Sequence, residues 1–192
     1  FDIGNGGAKD WGDTPPYHRL GKQAFDARAR EFALGNSGAG FGAQAGQLKG
    51  GLGSASTMLD DDVFVGAVLA VNPVGAVCDA QGTFWAQHLA LEHKGAAEFG
   101  RADAPAPQAG PSHPLTASKL AGLAAGANTT IGVVAVAADL TPAEAQRVAI
   151  MAQDGLARAI RPVHTPFDGD TIFVLATGSQ PLSREAELLS LI

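Results

Sequence analysis

The hydrophobic pattern of this chain changes period several times, and each change predicts an element. Phe25, Ala29 and Phe32 fall at helical spacing behind Thr14-Pro15-Pro16, with Leu20, Ala24 and Ala27 on a neighbouring row. That spacing predicts a helix over 17–33. Residues 35–56 (GNSGAGFGAQAGQLKGGLGSAS) carry few bulky side chains and read as tight turns. Residues 63–75 (VFVGAVLAVNPVG) read as a buried strand ending at Asn72-Pro73, and 76–79 with 83–86 as a hairpin across Ala80-Gln81-Gly82. A Pro/Ala/Gly-rich connector over 99–115 and a short helix over 116–126 follow. Thr129–Ala138 (TTIGVVAVAA) is an apolar, strand-like run.

Thr141-Pro142-Ala143-Glu144 opens the clearest helix, with Thr141 as N-cap, Pro142 in the first helical position and Glu144 completing a capping box. Ala145, Val148, Ala149, Ala152, Leu156, Ala159 and Ile160 form its apolar stripe, and Arg161-Pro162 stops it. A polar loop over 164–171 precedes a strand over 172–177, and Ser183 caps a last helix. Strands apolar on both faces, mixed with amphipathic helices, predict a layered α/β structure whose sheet is covered on both sides.

Length and charge narrow the picture. A chain of 192 residues, 46% hydrophobic, suits one domain with a substantial core. A net charge of −6 without a Lys/Arg-rich run argues against nucleic acid or an anionic membrane as partner. No apolar stretch reaches the ~20 residues of a membrane span. The single cysteine, Cys78, lies in an apolar run and reads as a small buried hydrophobe. The chain begins at Phe1 and stops within an apolar helical pattern at Leu188–Ile192, so it reads as a fragment or a processed chain. The expected location is the cytoplasm, with the question of a targeting signal left open by the N-terminus.

Several chemical motifs fail in detail. Gly38-Ala39-Gly40-Phe41-Gly42-Ala43 lacks the last glycine of a dinucleotide loop, and no phosphate-binding G-x-x-x-x-G-K-[ST] occurs. His88 and His93 are five apart, off the spacing that puts two ligands on one helix face. Neither a metal nor a cofactor is expected. Asn128-Thr129-Thr130 matches a glycosylation sequon, but at the edge of an apolar strand.

Three places keep a chemical reading beside a bland one. Thr129 follows a flexible small-residue segment and opens a buried strand, the layout an N-terminal nucleophile needs. Once the preceding bond is cut, its own α-amine, with an ordinary pKa of about 8, can act as base. Before the cut, the same hydroxyl can attack the carbonyl of Asn128. Equally, Thr is a good strand former. Asp168 and Asp170 flank Gly169 just before a strand. They are either an ordinary turn or a hydrogen-bonded pair that orients the amine and hydroxyl of Thr129, and two carboxylates are too few for calcium. Asn72 either closes a turn before Pro73 or donates its NH₂ to a developing oxyanion, a contact worth about 3–4 kcal/mol of barrier in known cases.

The stretch NTTIGVVAVAADLTPAEAQRVAIMAQDGLARAIRPVHTPFDGDTIFVLATG resembles the L-aminopeptidase/D-amidase-esterase family, which includes β-peptidyl aminopeptidases and nylon-oligomer hydrolases. GAGFGAQAGQLKGGLGSAS and VNPVG resemble further family motifs in the expected order. The resemblance implies an αββα sandwich shared with ornithine acetyltransferases, present here as a fragment without the family's N-terminal portion or C-terminal end. It implies self-cleavage between Asn128 and Thr129, giving a larger segment 1–128 and a smaller one 129–192 within one domain. It assigns the nucleophile to Thr129, the oxyanion site to Asn72, the hydrogen-bond network to Asp168 and Asp170, and a catalytic lysine to Lys49, which precedes Gly50-Gly51. In the nylon hydrolases the lysine directly follows Ala-Gly, where this chain has Gln47. The implied substrates are small peptides, amino-acid amides or esters, or ω-amino-acid oligomers, and the implied assembly is a homo-oligomer. Rival readings are acetyl transfer on the same fold and a non-catalytic α/β domain.

Overall fold

The computed structural model describes residues 8–59, 63–87, 118–119 and 128–181. The expected helix over 116–126 (apart from 118–119) and the helix capped by Ser183 lie outside them, as do His88 and His93. Helix α1 (Tyr17–Asp26) is followed by a 3₁₀ turn at Gly38–Gly40 and two short strands, β1 (Gln44–Ala45) and β2 (Leu48–Lys49), paired as a hairpin. Then come β3 (Gly51–Met58), β4 (Phe64–Val71), β5 (Ile131–Val136), α2 (Pro142–Ala159) and β6 (Thr171–Ala176). The main sheet has the order β3-β4-β5-β6, antiparallel except for the parallel β5–β6 pair, which α2 connects.

α1 is shorter than the expected 17–33. It buries no residue, so no tertiary face extends it past Asp26. Arg28 ends it: its guanidinium donates to the Phe25 carbonyl at 2.7 Å and stacks on the Phe25 ring at 4.1 Å. β3 begins inside the glycine-rich stretch read as turns. Its sequence GLGSASTM has weak strand propensity, but all eight residues pair with β4. Tertiary pairing overrides the local preference.

α2 keeps its expected start. The Thr141 amide donates to Glu144 Oε2 at 2.7 Å, and Thr141 Oγ1 accepts from the Glu144 amide at 3.4 Å. These bonds to Thr141 hold the exposed Glu144 carboxyl below its usual range. The stripe of α2 packs Val148 and Ala152 against Val134, Val136, Ile172 and Val174 of the sheet. Val136 and Val148 are fully buried, each contributing about 1.5–3 kcal/mol.

The second face of the sheet departs from expectation. Ile131, Val133, Phe173, Leu175 and Phe64 alternate with the core positions and are 41–58% exposed. Among the described residues α2 covers one face, and the other presents apolar side chains outward. Cys78 and Phe84 form the isolated bridge of the expected hairpin, whose turn is held by Asp79 Oδ1 on the amides of Gln81 and Thr83. Burial, and then the charge of Asp79, raise the Cys78 thiol above its ordinary pKa, which suits an inert side chain.

Candidate active site

The sheet register brings four distant segments to one end. β5 and β6 run parallel with Ile131 opposite Thr171, so the residues preceding both strands lie side by side. β4 runs antiparallel to β5 with Ala70 opposite Ile131, so its C-terminal exit through Val71 and Asn72 reaches the same end. β3 starts there as well, with Gly51 opposite Val71. A Cβ on Gly50 would lie 2.2 Å from the Val71 carbonyl oxygen, so only glycine lets the loop close so tightly onto β4.

Thr129 stands at this junction. Its amide donates to the Asn72 carbonyl at 3.0 Å. Its hydroxyl lies on the carbonyl oxygen of Asn128 at 2.5 Å, and the Gly169 amide donates to that same oxygen at 3.1 Å. A Cβ on Gly169 would come within 2.8 Å of Thr129 Oγ1, so the loop passes against the hydroxyl only because residue 169 has no side chain. Asn128 bridges to Asp168 in parallel fashion, continuing the β5–β6 register by backbone alone.

The two carboxylates hold backbone on either side of this point. Asp170 has a side chain only 3% exposed; Oδ1 accepts from the Thr130 amide at 2.8 Å, and Oδ2 lies 2.8 Å from His164 Nδ1. Asp168 Oδ1 accepts from the Val74 amide at 2.9 Å, and Oδ2 accepts from Thr165 Oγ1 at 2.6 Å and the Thr165 amide at 3.1 Å. Buried amides and carboxylates are thus paired, as low-polarity surroundings require. Asp170 grips the residue after Thr129 and Asp168 the residue two beyond Asn72; none of these bonds is to the Thr129 hydroxyl.

Asn72 is fully buried. Its Oδ1 accepts from the Gln44 amide at 2.9 Å and from Lys119 Nζ at 3.2 Å. Both partners are donors without ambiguity, so the oxygen faces them and the NH₂ faces away. Lys49 sits at the same sheet end with its ammonium on three backbone carbonyls: Gly40 at 2.7 Å, Phe41 at 2.8 Å and Ala43 at 2.8 Å. It thereby ties down the loop that supplies the Gln44 amide.

Lys119 has no counterpart in the sequence reading. Its Nζ donates to Asn128 Oδ1 at 2.9 Å as well as to Asn72, and its amide donates to the Val74 carbonyl at 2.9 Å. Burial lowers its pKa to about 8, against the opposing pull of the Asp168 charge. The Ala/Leu/Gly-rich surroundings read as a short helix, and the one available signal was a lysine inside them, nine residues before Asn128. Gly169, Thr165 and His164 were quoted in the sequence as parts of a loop; their contacts emerge only from the fold. Two clefts, of about 320 and 290 Å³, flank the β1–β2 hairpin, and Thr129 lines neither. Among the described residues no group of three or more His, Cys, Asp or Glu side chains is placed to hold a metal ion.

Comparison with known proteins decides the family. The model of peptidase family S58 matches residues 1–191. This chain belongs to peptidase family S58. An uncharacterized aminopeptidase of Mycobacterium tuberculosis H37Rv is 44% identical over 187 residues, which cover 97% of this chain and 51% of that protein. A 6-aminohexanoate-oligomer endohydrolase of Paenarthrobacter ureafaciens is 32% identical over 174 residues, covering 84% of this chain and 45% of that one. The S58 chain described here therefore spans about half the length of the curated relatives it matches. Among solved structures, the L-aminopeptidase D-Ala-esterase/amidase of Ochrobactrum anthropi, described as a variant of the Ntn-hydrolase fold, aligns with a TM-score of 0.52. It covers 85% of this chain and 38% of that one at 20% identity, a likeness of fold alone. The layered α/β architecture of the S58 chain is of that type.

Proposed function

We propose that this chain carries the nucleophile-bearing part of an amide hydrolase that matures by cutting itself between Asn128 and Thr129. The observation that carries the reading is the Thr129 hydroxyl on the Asn128 carbonyl, with the Gly169 amide on the same oxygen. In the first step Thr129 Oγ1 bonds to the Asn128 carbonyl carbon, and the carbon–nitrogen bond breaks. The hydroxyl proton ends on the Thr129 nitrogen, and the product is an ester. Water then opens the ester, leaving a carboxylate on Asn128 and a free hydroxyl and α-amine on Thr129. β4, before the cut, pairs with β5, after it, over six residue pairs, which favours one domain made of two segments.

In turnover the α-amine of Thr129 takes the proton as Oγ1 attacks a substrate amide, forming an acyl intermediate that water releases. Asn72 donates its NH₂ to the oxyanion, consistent with an orientation fixed from behind by Gln44 and Lys119. Asp170, through the Thr130 amide, and Asp168, through the Val74 amide, hold the nucleophile and the oxyanion group in register. Lys49 contributes by anchoring the loop behind Asn72. The names of the relatives point to linear amides as substrates: small peptides or amino-acid amides with a free amine end, or ω-amino-acid oligomers. We assign the mature protein to a homo-oligomer in the cytoplasm. Among the described residues no helix is long and apolar enough to cross a membrane.

The test uses the full-length protein assayed against an amino-acid p-nitroanilide and a 6-aminohexanoate oligomer. Wild type hydrolyses at least one. Thr129→Ala remains a single chain and hydrolyses neither, whereas Thr129→Ser keeps both cleavage and activity. An active Thr129→Ala ends the assignment.

A further inference from the structure

Lys119 is fixed at both ends. Its backbone amide is bound to the Val74 carbonyl, and the Val74 amide is bound to Asp168. Its ammonium lies between two carboxamide oxygens whose residues, Asn72 and Asn128, are 0% and 2% exposed. One of those residues presents the carbonyl that would be attacked. The other accepts, through its backbone carbonyl, the amide hydrogen of the nitrogen that would leave.

We propose that Lys119 is a positioning residue for self-cleavage: its ammonium holds the Asn128 and Asn72 side chains so that the Asn128 carbonyl stays between the Thr129 hydroxyl and the Gly169 amide. The inference rests on the self-cleavage reading above. The side chain and carbonyl of Asn128 branch from one Cα, so tethering Oδ1 removes the rotations that would swing the carbonyl away from attack. The tether to Asn72 steadies the acceptor of the Thr129 amide while the carbon–nitrogen bond breaks. Lys119 takes no proton from the reacting atoms; it acts through the two amides. Its role is unequal before and after the cut. Processing needs both tethers, and turnover needs only the one on Asn72, because Asn128 has become a chain end.

The experiment follows conversion of the full-length protein from one chain to two by intact mass, with hydrolysis measured per cut molecule. Lys119→Met slows cutting roughly 10- to 100-fold at pH 7, the range expected for losing two charge-assisted hydrogen bonds, and lowers turnover by a smaller factor. Lys119→Arg recovers cutting to within about tenfold of wild type, because its donors stay charged. The charged groups in the facing turn are Asp168, which acts on Lys119 directly, and Asp170 with its partner His164. Since Lys119 loses its proton near pH 8, cutting by wild type falls relative to Lys119→Arg as pH rises through that value. Asn128→Leu, which removes the other end of the tether, gives a similar slowing, and the double variant is no slower than the worse single one. Thermal unfolding of each variant separates a lost fold from lost positioning, and the Asn128→Leu series stands if Lys119→Met does not fold. Cutting at the wild-type rate in Lys119→Met, or slowing factors that multiply in the double variant, would overturn the proposal while leaving self-cleavage intact. A wild type that never cuts overturns the self-cleavage reading, and this proposal with it.

Discussion

Lys49 and Lys119 both sit at the Asn72 end of the sheet and are held in different ways: Lys119 bonds Asn72 directly, and Lys49 binds the loop that supplies the Gln44 amide to it. Lys49 has three N–H donors on three backbone carbonyls, so its ammonium is fully occupied in shaping a loop. Lys119 has two side-chain oxygens of the junction, and burial lowers its pKa to about 8. The family motif points to Lys49 by its place before Gly50-Gly51, while the geometry puts Lys119 between the side chains of Asn72 and Asn128. The same residue type thus binds the backbone carbonyls of a loop in one place and side-chain oxygens of the junction in another.

The largest effect that sharpens this contrast is on stability. Lys49→Met takes the lysine donor from three carbonyls, of which those of Gly40 and Ala43 keep backbone donors, and costs about 1–2 kcal/mol. The check is denaturant unfolding beside Lys119→Met, which is expected to lose less. If Lys49→Met unfolds like wild type yet abolishes hydrolysis, Lys49 is a chemical group and the contrast fails. Next comes the loop against the hydroxyl. Gly169→Ala puts a Cβ against Thr129 Oγ1 and slows cutting about tenfold or more, with about 1–2 kcal/mol lost in unfolding. Equal cutting rates in Gly169→Ala and wild type would show that the hydroxyl does not react from its observed place. The smallest effect is a pH dependence with opposite signs. The pKa of Lys119 is about 8 folded and 10.5 as its ordinary value, so between these the unfolded chain holds more of the proton. Stability relative to Lys119→Met therefore rises from pH 8 to pH 10.5 while the cutting rate falls. Parallel changes in the two would assign the titration to another group.

Much of the frame was legible because local pattern and tertiary role agree. β4, β5 and β6 are apolar runs, and α2 announces itself by its capping box, which the structure retains within one residue. β3 was not legible, since GLGSASTM becomes a strand only through its partner. The exposed apolar face was not legible either: Ile131, Val133, Phe173 and Leu175 are apolar whether or not one of the described elements covers them. In the candidate site, Asn72, Thr129, Asp168 and Asp170 could be singled out as polar groups at the ends of apolar runs, and the register brings those ends together. Lys119 could not, because what distinguishes it is two contacts, with partners 47 and 9 residues away, and no local pattern encodes them.

The most direct measurement is N-terminal sequencing with intact mass on purified, freshly folded full-length protein. The account predicts a second N-terminus reading Thr-Thr-Ile-Gly-Val, beginning at Thr129, in wild type and none in Thr129→Ala. A single uncut chain, or a cut at any other bond that persists in Thr129→Ala, would contradict it.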